Sequence, residues 1–373
     1  MPPHHAEARI DLGAISENTE LLRRTAPGAQ VMGVVKADGY GHGMLPAARA
    51  LLAGGATWLG TAFIDEALQL RAAGVDTPVV AWILPPGAPL ASAIAAGIDL
   101  GVSTPELVDA IGLAARETGR PARVHLKADT GLNRGGVTAA QWPDTVAAAA
   151  RAEADGLLRV TGLFSHFACS DEPGHASIGM QISAFHEALE IADKAGLRPE
   201  VRHLANSAAA LTLPETHFDL IRPGIAGYGI TPIPALTGTG LRPAMTLSAR
   251  IALVKRVPEG SGVSYGHRYT TDRSTRLALV PVGYGDGVPR AATNTAEVLA
   301  AGRRRRIAGT VCMDQFMLDI GEDPAAAGDD AVLFGPGDRG EPTAQDWADA
   351  LGTIPYEIVT RVGPRVPRTY TGA

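Results

Sequence analysis

Short apolar or β-branched runs recur through the first two-thirds of the chain at intervals of roughly 20 to 35 residues, and the segments between them place apolar residues at helical spacing. The runs are VMGVV from residue 31, WLGTA from 58, PVVAW from 78, IDLGV from 98, RVHL from 123, VTGLF from 160, VRHLA from 201 and DLIR from 219. Between them lie DEALQLRAAG, TPELVDAIGLAARETG and MQISAFHEALEIADKAG, each closing on a glycine that suits a helix C-terminus. Continuous apolar strands alternating with amphipathic helices predict a parallel sheet covered on both faces. Eight such repeats favour a (β/α)8 TIM-type barrel over an open sheet, a choice that periodicity alone leaves open. The fold class is therefore α/β, a barrel followed by a mostly β C-terminal domain.

The texture changes near residue 235. The Pro/Gly/Thr-rich stretch TPIPALTGTGLRP leads into strand-like runs, MTLSARIALVKRV, RLALVPVG, RIAGTVCMDQFMLDI and DDAVLFG, with a short helix expected at AQDWADALG. The expected division is a barrel over 8–235 and a β domain over 236–373, with residues 1–9 able to join the second.

Length agrees with this, since 373 residues exceed what one core usually supports. A net charge of −6 offers no field for nucleic acid, and no run approaches the roughly 18 apolar residues of a membrane span. The N-terminus lacks the pattern of a secretory signal, and two distant cysteines, Cys169 and Cys312, form neither a disulfide framework nor a metal-ligand spacing. A cytoplasmic protein is expected. The RRRR run at 303–306 reads as a solvated strand or turn.

Barrel active sites lie at the C-terminal ends of the strands. There the sequence places Lys36, Trp82, Ser103, Lys127 with Asp129, Ser165 with His166, Asn206 with Ser207, and Arg222 followed by Pro223 and Gly224. Any one of these is more often structural, but two lysines, a histidine and an arginine at one mouth favour a functional reading. A lysine in such a pocket serves as a point charge for phosphate, a general base or the amine of a Schiff base. The last two loops, NSAA and RPGIAGYG, offer hydroxyls and glycine amides where barrels bind phosphate, so the set suggests pyridoxal 5'-phosphate.

Nine segments in order, VVKADGYGHG, KADTGLNRGG, FSHFACSDE, HLANSAA, IRPGIAGYG, VSYGHRY, VGYGDG, CMDQFMLDI and TIPYEIVTRVGPRVPR, resemble those of the alanine racemase family. The resemblance covers nearly the whole chain. It implies that Lys36 holds the cofactor and acts as base on one face of the substrate, while Tyr265 acts on the other, in a chain running through His166 to Arg222. It implies Arg222 at the pyridine nitrogen, and the phosphate among Tyr40, Ser207, the amides of Gly224 and Ile225, and Tyr356, with Asn206 and Trp82 beside the cofactor. Arg134 would meet the cofactor's phenolic oxygen and the substrate carboxylate, and Met313 would offer its amide to that carboxylate.

The resemblance further implies a carbamylated Lys127, against which an ordinary lysine paired with Asp129 is the alternative. It implies an entry channel narrowed by Tyr265, Tyr284, Arg290 and Tyr356, and a head-to-tail homodimer in which the partner supplies Tyr265 and Met313. The activity implied is interconversion of L- and D-alanine, supplying D-alanine for peptidoglycan. Alternatives are a racemase accepting serine or a broader range, a barrel-type decarboxylase, which an acidic residue at position 222 would have supported, and a non-catalytic cofactor carrier, which would lack the second domain.

Overall fold

The computed structural model describes residues 4–372. After β1 (Ala6–Asp11) come eight parallel strands, β2 (Gln30–Val34), β3 (Trp58–Thr61), β4 (Val79–Ala81), β5 (Asp99–Val102), β6 (Ala122–Lys127), β7 (Leu158–Phe164), β8 (Val201–His203) and β9 (Leu220–Ile221). They form one sheet in the order β8-β7-β6-β5-β4-β3-β2-β9. Between β8 and β9 the amide of Asp219 donates to the carbonyl of Arg202 (3.1 Å) and that of Arg222 to Ala205 (2.9 Å), which closes the barrel. All eight runs picked out by their apolar character are strands of this barrel.

Tight packing explains the small residues on the strands. A Cβ at Gly60 would meet the Trp82 ring at 2.5 Å, one at Gly101 would lie 2.8 Å from the Trp82 backbone, and one at Gly162 would lie 2.2 Å from His125 Nδ1. The interior is thus filled by Met32, Trp58, Trp82 and Val80 with His125 beside them. The outer helices follow the predicted periodicity, for example Pro105–Thr118, capped by Gly119 in the left-handed conformation. Helix Ala176–Lys194 begins earlier than its apolar pattern suggests, because His175 caps it.

The second part of the chain is built of β10 (Met245–Arg250), β11 (Leu253–Val257), β12 (Gly262–Val263), β13 (Tyr269–Thr270), β14 (Thr275–Val280), β15 (Glu297–Ala300), β16 (Arg303–Arg306), β17 (Phe316–Asp319), β18 (Asp330–Phe334) and β19 (Arg368–Thr371). A six-stranded sheet runs β16-β15-β18-β10-β1-β19, and a second one β11-β14-β17. The run MTLSARIALVKRV is therefore two strands in different sheets, since the chain turns at Ile251 and Ala252. The arginine run is a solvated strand, β16, whose side chains pair with Asp323 and Asp346. A short helix, Ala344–Leu351, lies where expected.

Strand β1 pairs with β10 (Ala6 opposite Ala249) and with β19 (Ala8 opposite Arg368), so residues 6–11 belong to the β sheet rather than to the barrel. Residues 1–3 of the segment expected to join it lie outside the described residues. No helix among the described residues is long and apolar enough to cross a membrane.

Candidate active site

Strand β2 delivers Lys36 to the mouth of the barrel, and the chain then makes an uncommon turn. Ala37, Asp38, Gly39 and Tyr40 all have φ between 53° and 61°, a full left-handed turn in which three residues carry side chains. Such conformations cost roughly 1–2 kcal/mol per residue and persist only where the surroundings impose them. Here Glu66 accepts from the Ala37 amide (2.8 Å), Asp38 Oδ1 accepts from the Met44 amide (2.8 Å), and His42 Nδ1 faces the carbonyl of Tyr40 (2.9 Å). Asp38 and His42 are thus turn residues. Gly41 and Gly43 are required for space as well, since a Cβ at 41 would lie 2.4 Å from the Val359 carbonyl and one at 43 would lie 2.1 Å from the Tyr370 hydroxyl. The turn fixes Lys36 beside Tyr40 and Trp82, its Nζ 6.0 Å from the centroid of each ring. Burial and the neighbouring Arg134 charge lower the Lys36 pKa, with Glu66 opposing them.

The other predicted residues gather around that amine. Lys127, at the end of β6, has its pKa lowered to about 8 by burial and by the charges of Arg134 and Arg222, against which Asp129 acts in the opposite sense. Asp129 is directed elsewhere: its Oδ1 accepts from the amides of Gly131 (3.0 Å) and Asn133 (3.1 Å), shaping the loop that carries Arg134. Among the described residues, Lys127 and Asp129 form no ion pair.

Arg222 is buried with Cζ 5.6 Å from the centroid of the Phe164 ring. Its Nη2 donates to the carbonyls of Ser165 (2.7 Å) and Leu204 (3.2 Å) and lies 3.3 Å from His166 Nδ1, while Nη1 lies 3.0 Å from His203 Nδ1. Burial and the surrounding cations hold His166 well below its ordinary pKa, so it is a neutral imidazole.

A small polar cradle lies alongside. Ser207 Oγ accepts from the amides of Gly224 (2.9 Å) and Ala226 (3.2 Å), with Ile225 buried between them. Asn206 caps helix Ser207–Thr212 by accepting from the Ala209 amide (3.1 Å), and its Oδ1 also takes the Ser170 hydroxyl (2.9 Å). The Tyr40 ring packs against Tyr228 and Tyr356, at centroid distances of 5.0 and 6.3 Å. Its hydroxyl lies where a Cβ of residue 224 would point, 2.3 Å from that position.

Against this geometry, family models described as "Alanine racemase, N-terminal domain" and "Alanine racemase, C-terminal domain" match residues 10–232 and 244–370. The chain belongs to the alanine racemase family. It is 69% identical to the alanine racemase of Thermobifida fusca over 368 residues, 99% of this chain and 98% of that one. It is 58% identical to that of Streptomyces coelicolor, covering 98% of this chain and 95% of that one. The crystal structure of alanine racemase from D-cycloserine-producing Streptomyces lavendulae superimposes with a TM-score of 0.99 at 55% identity, covering 100% of this chain and 98% of that one. The Bacillus anthracis alanine racemase structure with bound L-Ala-P gives 0.90 at 33%, covering 100% and 96%.

Alanine racemases are isomerases dependent on pyridoxal 5'-phosphate, and the residues here fit that group. A lysine of lowered pKa suits an aldehyde, the Tyr40–Ser207–Gly224 cradle admits no side chain at 224, and Arg222 presents only donors.

The remaining family positions cluster elsewhere. Tyr265 is 75% exposed, Met313 53% and Tyr284 44%, and Arg290 is also exposed. Their loops are joined to one another: Ser264 Oγ donates to the Thr310 carbonyl (2.7 Å) and lies 3.2 Å from Cys312 Sγ, while the Tyr284 amide donates to the Cys312 carbonyl (3.0 Å). The Tyr265 carbonyl accepts from Thr310 Oγ1 (2.7 Å), and Ser264 and His267 on either side have positive φ. The β domain therefore holds these side chains outward on a rigid loop cluster. The chain's own His166–Arg222 pair forms, but its own Tyr265 does not extend it.

Glu66 was not anticipated. It accepts the amides of Ala37, Ala62 and Phe63, tying the Lys36 turn to the start of helix Ile64–Ala72. Its signal was a glutamate at the third helical position after a strand.

Proposed function

We propose that the protein interconverts L- and D-alanine with pyridoxal 5'-phosphate, Lys36 and Tyr265 serving as bases on opposite faces of the substrate. The observation that carries this is the pairing of a half-buried, lowered-pKa Lys36 with a tyrosine that the same chain turns outward. When bound, the cofactor draws electrons from the amino acid's α-carbon and makes its proton acidic. The chain supplies the rest. Lys36 Nζ exchanges that proton on one face, and a partner's Tyr265 Oη exchanges it on the other. Two bases on opposite faces give inversion, whereas one base would return the proton where it came from.

Arg222 would face the pyridine nitrogen. Its hydrogen-bonded Nη atoms cannot accept a proton, so it would leave that nitrogen unprotonated and keep charge on the α-carbon, where prompt reprotonation outpaces loss to side products. Tyr40, Ser207, Tyr356 and the amides of Gly224 and Ile225 would hold the phosphate, with Asn206 and Trp82 alongside. Arg134 and the Met313 amide would orient the substrate carboxylate. Lys127, about half of it neutral near pH 8 because burial and three nearby cations lower its pKa, is suited to add carbon dioxide: its amine forms an N–C bond, a proton leaves to solvent, and the resulting anion orients Arg134.

A homodimer completes the site. The exposed cluster of Tyr265, Tyr284 and Met313 is an apolar patch that a second copy would cover, with Tyr284 and Arg290 narrowing the entry. The same reading places a domain division near residue 235, the protein in the cytoplasm, and its D-alanine in peptidoglycan. Serine is a slower alternative substrate that fits the same channel.

The test is to give purified protein L-alanine and, separately, D-alanine, and to follow optical form and absorption. A yellow protein driving both to one near-equal mixture supports the reading. A yellow protein that leaves alanine untouched removes it in favour of another amino acid.

A further inference from the structure

Arg222 is 6% exposed, and among the described residues no carboxylate forms an ion pair with it. A buried cation without a counter-charge is costly, so the charge that accommodates it must come from further away. The hydrogen bonds lead to it. His203, on β8, faces Arg222 Nη1 with its Nδ1 (3.0 Å) and His125 Nδ1 with its Nε2 (2.8 Å). His125, on β6, presents its own Nε2 to Asp99 Oδ2 at 3.2 Å. Asp99 opens β5 at the floor of the barrel and is 1% exposed.

The protons in this row have only one arrangement. A guanidinium has donors and no acceptor, so His203 Nδ1 must accept. Its single proton is then on Nε2, pointing at His125 Nδ1, which must accept in turn. The proton of His125 is therefore on Nε2, pointing at Asp99. Every donor in the row points from the mouth of the barrel to its floor, and the carboxylate is the terminus.

We propose that Asp99 is the remote counter-charge of Arg222, acting through two neutral, Nε2-protonated imidazoles, and that it is a positioning residue for the pyridine nitrogen's partner. The surroundings maintain the row. Phe164 stacks on His203 with centroids 4.8 Å apart and planes 1° from parallel, and Trp58 meets His125 edge-on at 5.4 Å. Gly162 leaves the room that His125 occupies. Asp99 also accepts from Arg123 Nε (2.8 Å) and Thr161 Oγ1 (2.9 Å); Arg123 and Arg159 share Asp99 and Glu200 between them, but the Arg123 side chain is 30% exposed and screened by solvent, whereas Asp99, at 1%, faces the row unscreened.

The inference of a role in the reaction rests on Arg222 facing the cofactor, whereas the proton arrangement does not. The first experiment is accordingly nitrogen NMR of histidine-labelled wild-type protein without cofactor. His125 and His203 should each carry the ring proton on Nε2, with Nδ1 unprotonated. A proton on Nδ1 of either ring, or a charged ring, overturns the proposal even if the protein racemises alanine. The second compares Asp99→Asn with Arg123→Met as holoenzymes. Asp99→Asn should shift the cofactor's absorption band and lower kcat for alanine about tenfold, with little change in KM. Arg123→Met, which loosens the floor and leaves the row intact, should leave the band in place. An equal shift in both variants, or a shift in neither, overturns the role. Should Asp99→Asn fail to fold, the wild-type spectrum still decides the proton arrangement, and His203→Gln, which breaks the row one step from Arg222, takes its place in the comparison of bands.

Discussion

The Tyr40 hydroxyl occupies the space above Gly224 so closely that a Cβ added there would lie 2.3 Å from the oxygen. A tyrosine from the first barrel loop and a glycine from the last thus share one wall of the proposed phosphate cradle. Space is what constrains this position. Gly224→Ala should displace Tyr40 and weaken cofactor binding at least tenfold, about 1.4 kcal/mol. Titration of the apoprotein followed by absorbance checks this, and an unchanged affinity would place the phosphate elsewhere.

The proposed sharing of the site between subunits has an arithmetic consequence. Mixing Lys36→Ala with Tyr265→Phe, each inactive alone, should restore about a quarter of wild-type activity after subunit exchange, because half the dimers are mixed and each has one intact site. Complete absence of recovery, with exchange verified by mass spectrometry of the intact dimers, would show that Lys36 and Tyr265 act from the same chain.

His42 is fully buried, and burial lowers its pKa to about 4, against 6.5 in an unfolded chain, although carbonyls of Tyr40 and Gly39 act to raise it. Between these values the unfolded chain binds more protons, so stability is full above pH 6.5 and declines as pH falls toward 4, by on the order of 3 kcal/mol. His42→Gln should therefore flatten the acid side of the stability curve. Denaturant melts at pH 7 and pH 4.5 measure the difference in slope.

Lys127 works at the other end of the scale. With its pKa lowered to about 8, chiefly by burial, from 10.5, the folded state carries an unfavourable buried charge below pH 8. That penalty is relieved as pH rises from 8 to 10.5, where the unfolded chain holds more protons. In carbon-dioxide-free buffer, apoprotein bearing Lys127→Met should melt higher than wild type at pH 7, and the advantage should shrink by pH 10. An advantage that persists at high pH would mean that the gain came from packing rather than charge.

Much of this site could be read from the chain because its parts obey local rules. Lys36, Lys127, His166, Asn206 and Arg222 each follow an apolar run, and strand ends at a barrel mouth converge whatever the details of the helices. The left-handed turn at 37–40 was only half legible: the glycines of VVKADGYGHG signal a tight turn, but Ala37, Asp38 and Tyr40 share its conformation because Glu66 accepts from the Ala37 amide and Asp38 from the Met44 amide. Asp99, His125 and His203 lay in plain view inside IDLGV, RVHL and VRHLA. Polar residues inside otherwise apolar parallel strands are a signal in themselves, but which ones meet depends on closure of the barrel, and no spacing along the chain encodes that. The outward placement of Tyr265 is likewise a property of two loops, joined through Cys312, and not of either segment alone.

Strand β1 lies between β10 and β19, so its place in the sheet is filled on both sides only after a strand far along the chain has been made, Ala8 lying opposite Arg368. The barrel has its final strand by Ile221 and can close while some 150 residues are still to be synthesised, as order-of-events reasoning for growing chains suggests. Strand β1 gains its first partner once β10 has been made and its second only with β19. Joining the two ends and reopening the chain within the TPIPALTGTGLRP stretch would let each part be translated as a continuous piece, and folding of such a permuted chain during its synthesis should lose the delay that the natural order of synthesis builds in.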